Sequence, residues 1–154
     1  MSLEELYREV ILDHYRNPRN RSKLDAVDAS ADGVNPLCGD EIHVELSFDG
    51  DVIDGVYVTG QGCSISQSSA SMMGEAIKGK TRPEIDRLVA SFKAMMDIDG
   101  DAGDAVDPER PGATLGDLEA LQGVRKYPVR IKCANLPWTT LEDALATAGA
   151  GSTS

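Results

Sequence analysis

The chain has little with which to bind nucleic acid, cross a membrane or build a disulfide framework. Its 154 residues carry a formal charge of -11, whereas a polyanionic partner rewards positive charge. Its longest apolar runs are only a few residues, too short to span a bilayer. Three cysteines cannot all pair within one chain, and their spacing is unlike a disulfide scaffold. The opening Met1-Ser2-Leu3-Glu4-Glu5 is acidic and lacks the apolar stretch of a signal peptide. The expectation is a cytoplasmic protein, in a reducing compartment where thiols persist. His-Glu-x-x-His is missing, as is His-x-Glu with Pro-Cys-x-x-Cys, which excludes the zincin and zinc-deaminase classes. Asp97, Asp99 and Asp101 fit the first positions of a calcium loop. Ala102 then stands at the required glycine and Pro108 at the final glutamate, so a solvated loop is the reading.

What is present reads as one α+β domain over residues 1–148, with an acidic insertion at about 97–113 and a disordered tail at 149–154. Leu3, Leu6, Tyr7, Val10, Ile11, His14 and Tyr15 recur at helical spacing, and Asn17-Pro18 ends that first helix. Ile42, Val44, Leu46 and Phe48 alternate with polar residues as a half-buried strand does. Asp49-Gly50 signals a hairpin, Val52 to Val58 is the returning strand, and a third strand is expected around Ala31 to Val34. A serine-rich helix then runs from near Cys63 to Lys78-Gly79. Thr81 and Glu84 make a capping box for a helix carrying Ile85, Leu88, Val89, Phe92, Met95 and Met96. Thr114 caps a short helix bearing Leu115, Leu118 and Leu121. The last helix covers about Val129 to Ala148, with Pro137 expected to kink or restart it. The architecture is a small antiparallel sheet of about three strands with helices on one face.

The cysteines carry the chemistry. Cys38 lies in Asn35-Pro36-Leu37-Cys38-Gly39-Asp40, Cys63 in Gly60-Gln61-Gly62-Cys63-Ser64, and Cys133 in Arg130-Ile131-Lys132-Cys133. Glycine-containing turns, a helix start and neighbouring cations favour the thiolate, the form that binds metal and attacks sulfur. Cys38 and Cys63 flank the hairpin at strand ends that are neighbours in an antiparallel pair. Zinc takes four ligands from thiolate, imidazole and carboxylate, and Asp40, two residues after Cys38 across a glycine, is the natural fourth. Common Cys-x-x-Cys zinc pairs do not occur. The serines from Ser64 to Ser71 read as close helix packing, since no histidine is placed by sequence to activate one. His14 reads as a core residue, and His43 sits on the polar face of its strand. Arg16, Arg19, Arg21 and Lys23 read as a solvated basic turn.

Those three cysteine motifs, with Ser69-Ala70-Ser71, closely resemble the IscU-like iron–sulfur scaffold family, from the first helix to the last and in the same order. Lys132, where the scaffold proper carries histidine, and the segment from about Asp97 to Gly123 resemble the SufU branch of that family. The resemblance implies zinc held by Cys38, Asp40, Cys63 and Cys133, and persulfide sulfur accepted on Cys38 from a SufS-type cysteine desulfurase. It further implies that a desulfurase histidine takes over one zinc position to release Cys38, and that Arg130 supports productive interaction with that enzyme. The sulfur would pass on to SufBCD-type cluster assembly machinery. Two alternatives stay open: a scaffold on which an iron–sulfur cluster is built on the same cysteines, and a zinc module whose metal only stabilises the fold.

Overall fold

The computed structural model describes residues 3–20, 22–36, 39–96 and 116–152. Helix α1 spans Leu3–Arg16, followed by strands β1 (Ala29–Asn35), β2 (Asp40–Asp49) and β3 (Val52–Gln61). Helices α2 (Ser64–Ile77) and α3 (Arg82–Met95), a 3₁₀ segment (Gly116–Lys126) and α4 (Pro128–Ser152) complete the chain. The sheet is antiparallel in the order β1-β2-β3. Asn35 faces Asp40 at the β1–β2 end, and Glu41 faces Gln61 across β2–β3. Leu37, Cys38, Arg21 and residues 97–115 fall outside the described residues, so the calcium-loop and Thr114 readings do too.

Alternation in β2 works as the sequence implies: Ile42, Val44 and Leu46 are buried under the helices, while His43 and Glu45 face the other side. In β3 the period slips. The register passes from Ser47 opposite Gly55 to Phe48 opposite Ile53, so Asp54 is an extra residue in a β-bulge. That slip is why Ile53 and Val56, three apart, are both buried. Helix α4 lies against β1 and β2, and α2 against β3 and α4. Phe92 of α3 stacks on Trp138 of α4 with ring centroids 4.4 Å apart.

Helix α2 is buried along most of its length and its serines tie it down. Ser68 donates to the Ile11 carbonyl at 2.7 Å, and Ser69 donates to the Ala134 carbonyl at 2.6 Å while accepting from the Trp138 indole at 3.1 Å. The Thr81–Glu84 capping box forms at α3. The short helix expected around Leu118 and Leu121 is a 3₁₀ segment. Its buried residues also include Glu119 and Ala120, but the large apolar ones, Leu118, Leu121 and Val124, recur every three positions, the period at which 3₁₀ side chains eclipse. Pro137 does not restart α4: the helix is continuous through it and runs to Ser152, past Gly149 where the tail was expected. Proline removes one backbone donor, and the burial of Leu136, Trp138 and Leu141 around it keeps the helix seated.

On the uncovered side of the sheet, the two nitrogens of His43 lie 2.8 Å from Asp32 and 2.7 Å from Glu45. The Glu45 hydrogen bond, with a smaller contribution from Asp32, raises its pKa above the ordinary 6.5 against partial desolvation. A raised folded-state value means this stabilisation is complete below 6.5 and is lost as pH rises through the folded value. His43→Gln should therefore be less stable than the natural chain in mildly acidic buffer. The gap should close as pH rises above the folded value, read by urea unfolding across pH.

Candidate metal centre

The sheet end and two helices converge on one point. Strand β2 begins at Asp40, 1% exposed, whose Oδ1 accepts the Cys63 backbone N–H at 2.8 Å. Cys63 is the N-cap of α2, and its sulfur accepts the Ser66 N–H at 3.5 Å, much as a capping oxygen does. The Cys63 Sγ stands 3.8 Å from Asp40 Oδ2. Cys133, 1% exposed in the second turn of α4, completes the group, and one ligand atom from each of Asp40, Cys63 and Cys133 lies within 4.8 Å of the others. Gly62 lets the chain turn from β3 into α2 at φ 137°, and a Cβ there would collide with the Asp40 carboxylate.

This donor set suits a small, thiophilic cation. Tetrahedral zinc places a sulfur and an oxygen ligand about 3.5–3.7 Å apart, close to the 3.8 Å between Cys63 Sγ and Asp40 Oδ2. Among the described residues no lysine, arginine or histidine pairs with Asp40. A carboxylate this buried is costly without a compensating positive charge. The chain's two histidines are committed elsewhere, His14 to Ser71 and Asp117, His43 to Asp32 and Glu45. Neither joins the group.

The NifU-like N-terminal domain is matched over residues 6–134, most of the chain. The protein belongs to that family. It is 45% identical over 148 residues to a protein of Bacillus subtilis (strain 168) named zinc-dependent sulfurtransferase SufU, covering 94% of this chain and 92% of that one. It is 38% identical to the iron–sulfur cluster assembly scaffold protein IscU of Streptococcus pyogenes serotype M1, over 93% of this chain and 84% of that one. A crystal structure from Fervidobacterium islandicum AW-1, of a SufU proposed as a cluster assembly scaffold for the SUF system, superposes with a TM-score of 0.77. It is 35% identical and covers 94% of this chain and 99% of that one.

Within this NifU-like domain the predicted residues divide. Asp40, Cys63 and Cys133 meet, while Cys38 lies outside the described residues. Arg130 is exposed, its guanidinium 5.6 Å from the centroid of the Tyr127 ring, and both residues line an open pocket of about 630 Å³ beside Cys63, Val129 and Cys133. Lys132 is exposed whereas Cys133 is buried, because adjacent helix positions face different ways. The expected push of Lys132 on the Cys133 sulfur is therefore corrected. Two features escaped the sequence reading. Asn35, which opens the Cys38 motif, donates from Nδ2 to Cys133 Sγ at 3.7 Å. His14 does reach a serine: its Nδ1 is 2.8 Å from Ser71 Oγ and its Nε2 is 2.8 Å from Asp117. Ser71 is buried mid-helix and accepts the Arg19 backbone N–H at 3.0 Å, so the arrangement clasps α1 to α2 rather than exposing a nucleophile.

Gly62→Ala should cost about 1–3 kcal/mol from backbone strain alone and should also displace Asp40. Urea unfolding is expected to show the loss, with metal retention falling in parallel in the fraction that stays folded.

Proposed function

We propose that the protein is a zinc-dependent sulfurtransferase that accepts persulfide sulfur from a SufS-type cysteine desulfurase and relays it for iron–sulfur cluster assembly through SufBCD-type machinery. The observation that carries this reading is the convergence of Asp40, Cys63 and Cys133. Cys38 supplies the remaining thiolate ligand and is the sulfur acceptor. Zinc bound here would keep its thiolate ligands ionised while muting their nucleophilicity.

In the transfer, the Cys38 thiolate attacks the terminal sulfur of the desulfurase persulfide. A new sulfur–sulfur bond forms on Cys38, the donor's sulfur–sulfur bond breaks, and the desulfurase cysteine leaves as thiolate, with no net oxidation or reduction. The rate follows thiolate fraction, leaving group and access. Asp40, Cys63 and Cys133 stay in place throughout, which suits groups seated on a strand end and two packed helices. The exposed Tyr127, Val129 and Arg130 beside the open pocket support docking of a protein partner at this end of the molecule. No described helix is long and apolar enough to cross a membrane.

The scaffold alternative draws on the relatives named IscU. The absence of an imidazole from the Asp40–Cys63–Cys133 group favours the sulfurtransferase reading instead. Anaerobically purified protein should hold zinc, and iron with sulfide and visible absorbance would support the scaffold. After incubation with desulfurase and cysteine, mass spectrometry should find one added sulfur on Cys38. A Cys38→Ser protein still sulfurated on another cysteine would sink the assignment. A folded Cys38→Ala protein that still stimulates desulfurase turnover fully would point to a metal with a structural role only.

A further inference from the structure

The two residues that close the connection between β1 and β2 each reach one of the other cysteines. Asn35 and Asp40 are partners across the ladder, and four residues, Pro36 to Gly39, join them. Asp40 grips Cys63 through its backbone N–H. On the opposite stem the Asn35 amide donates from Nδ2 to the Cys133 sulfur at 3.7 Å. We infer that Asn35 is a positioning residue for Cys133, supplying from the sheet a hydrogen bond to the ligand sulfur that α4 cannot supply itself. This rests on the reading of Asp40, Cys63 and Cys133 as zinc ligands.

The need for it follows from where each cysteine sits. Cys63 is at a helix N-cap, where backbone donors have no intrahelical partner, and its sulfur takes the Ser66 N–H. Cys133 lies in the second turn of α4, where backbone N–H groups serve the helix's own ladder. The Val129 carbonyl lies 3.6 Å from its sulfur, where it accepts from a thiol but repels a sulfur carrying the negative charge of a metal ligand. The Asn35 amide brings a donor to it from another element. Asn35 is 7% exposed, at a strand end where β1 turns its side chain inward. An amide buried there is costly unless it is hydrogen-bonded. Groups outside the ligand shell that hydrogen-bond to ligands orient them and tune metal affinity. With Asp40 tied to Cys63 and Asn35 to Cys133, both stems of the connection between β1 and β2 are anchored at the site.

The test uses the full chain loaded with cadmium-113 in place of zinc. Proton–cadmium correlation spectra detect coupling through N–H···S–metal hydrogen bonds, and the Ser66 backbone proton serves as the internal reference. Correlations from both the Ser66 N–H and the Asn35 side-chain amide are expected. A Ser66 correlation without one from Asn35 overturns the inference and leaves the metal site standing. Loss of both, with cadmium bound, overturns the site reading as well. In parallel, Asn35→Ala and the shape-preserving Asn35→Leu should weaken zinc affinity about 10- to 100-fold in chelator competition. They should also move the sulfur-to-cobalt charge-transfer band of the cobalt-substituted protein to longer wavelength. A folded variant with natural affinity and an unmoved band overturns the inference.

Discussion

The hydrogen bond from the Cys63 backbone N–H to the Asp40 carboxylate joins the start of β2 to the start of α2 and sets the position of everything around it. It places a buried anion against a helix N-terminus, where backbone donors and the helix dipole both favour negative charge. It also requires Gly62, because any side chain there would occupy the carboxylate's space. Once Asp40 is seated, the Cys63 sulfur is held within 3.8 Å of its second oxygen. The third donor depends on how α4 lies over the sheet, which Ser69 helps to fix: its hydroxyl bonds the Ala134 carbonyl, one residue past Cys133.

The site is thus built from rigid parts, two helix turns and a strand end. Groups that must keep hold of a metal while a fourth ligand comes and goes gain from such support, since reorganisation would otherwise compete with transfer. The open pocket beside Cys63 and Cys133, rimmed by Tyr127 and Arg130, leaves one side accessible to a partner. Firm support behind the donors and an open pocket beside them suit a relay that a partner must reach.

Much of this was legible because it is local. The β2 alternation, the Asp49-Gly50 hairpin, the Thr81 capping box and the helical periodicity of α1 each depend on residues a few positions apart. Antiparallel geometry put Cys38 and Cys63 at neighbouring strand ends, and Asp40 entered through its spacing from Cys38. What the sequence hid was set by long-range packing. The bulge at Asp54 answers to the core beneath the sheet, and the 3₁₀ form of Gly116–Lys126 answers to a three-residue apolar period that a helical pattern also tolerates. The bond from Asn35 to Cys133 and the clasp of Ser71, His14 and Asp117 span roughly sixty to a hundred residues of chain, and no local signal encodes them. Lys132 misled for the opposite reason: neighbours in sequence diverge on a helix.

The central claim is that one carboxylate oxygen and three cysteine sulfurs hold zinc, with Asp40 as the sole oxygen donor from the chain. Zinc K-edge X-ray absorption of the isolated protein tests it directly. Three sulfur neighbours at about 2.3 Å and one light-atom neighbour at about 2.0–2.2 Å are expected, with the light-atom shell altered in Asp40→Ala. A first shell containing imidazole, or one unchanged when Asp40 is removed, would contradict it.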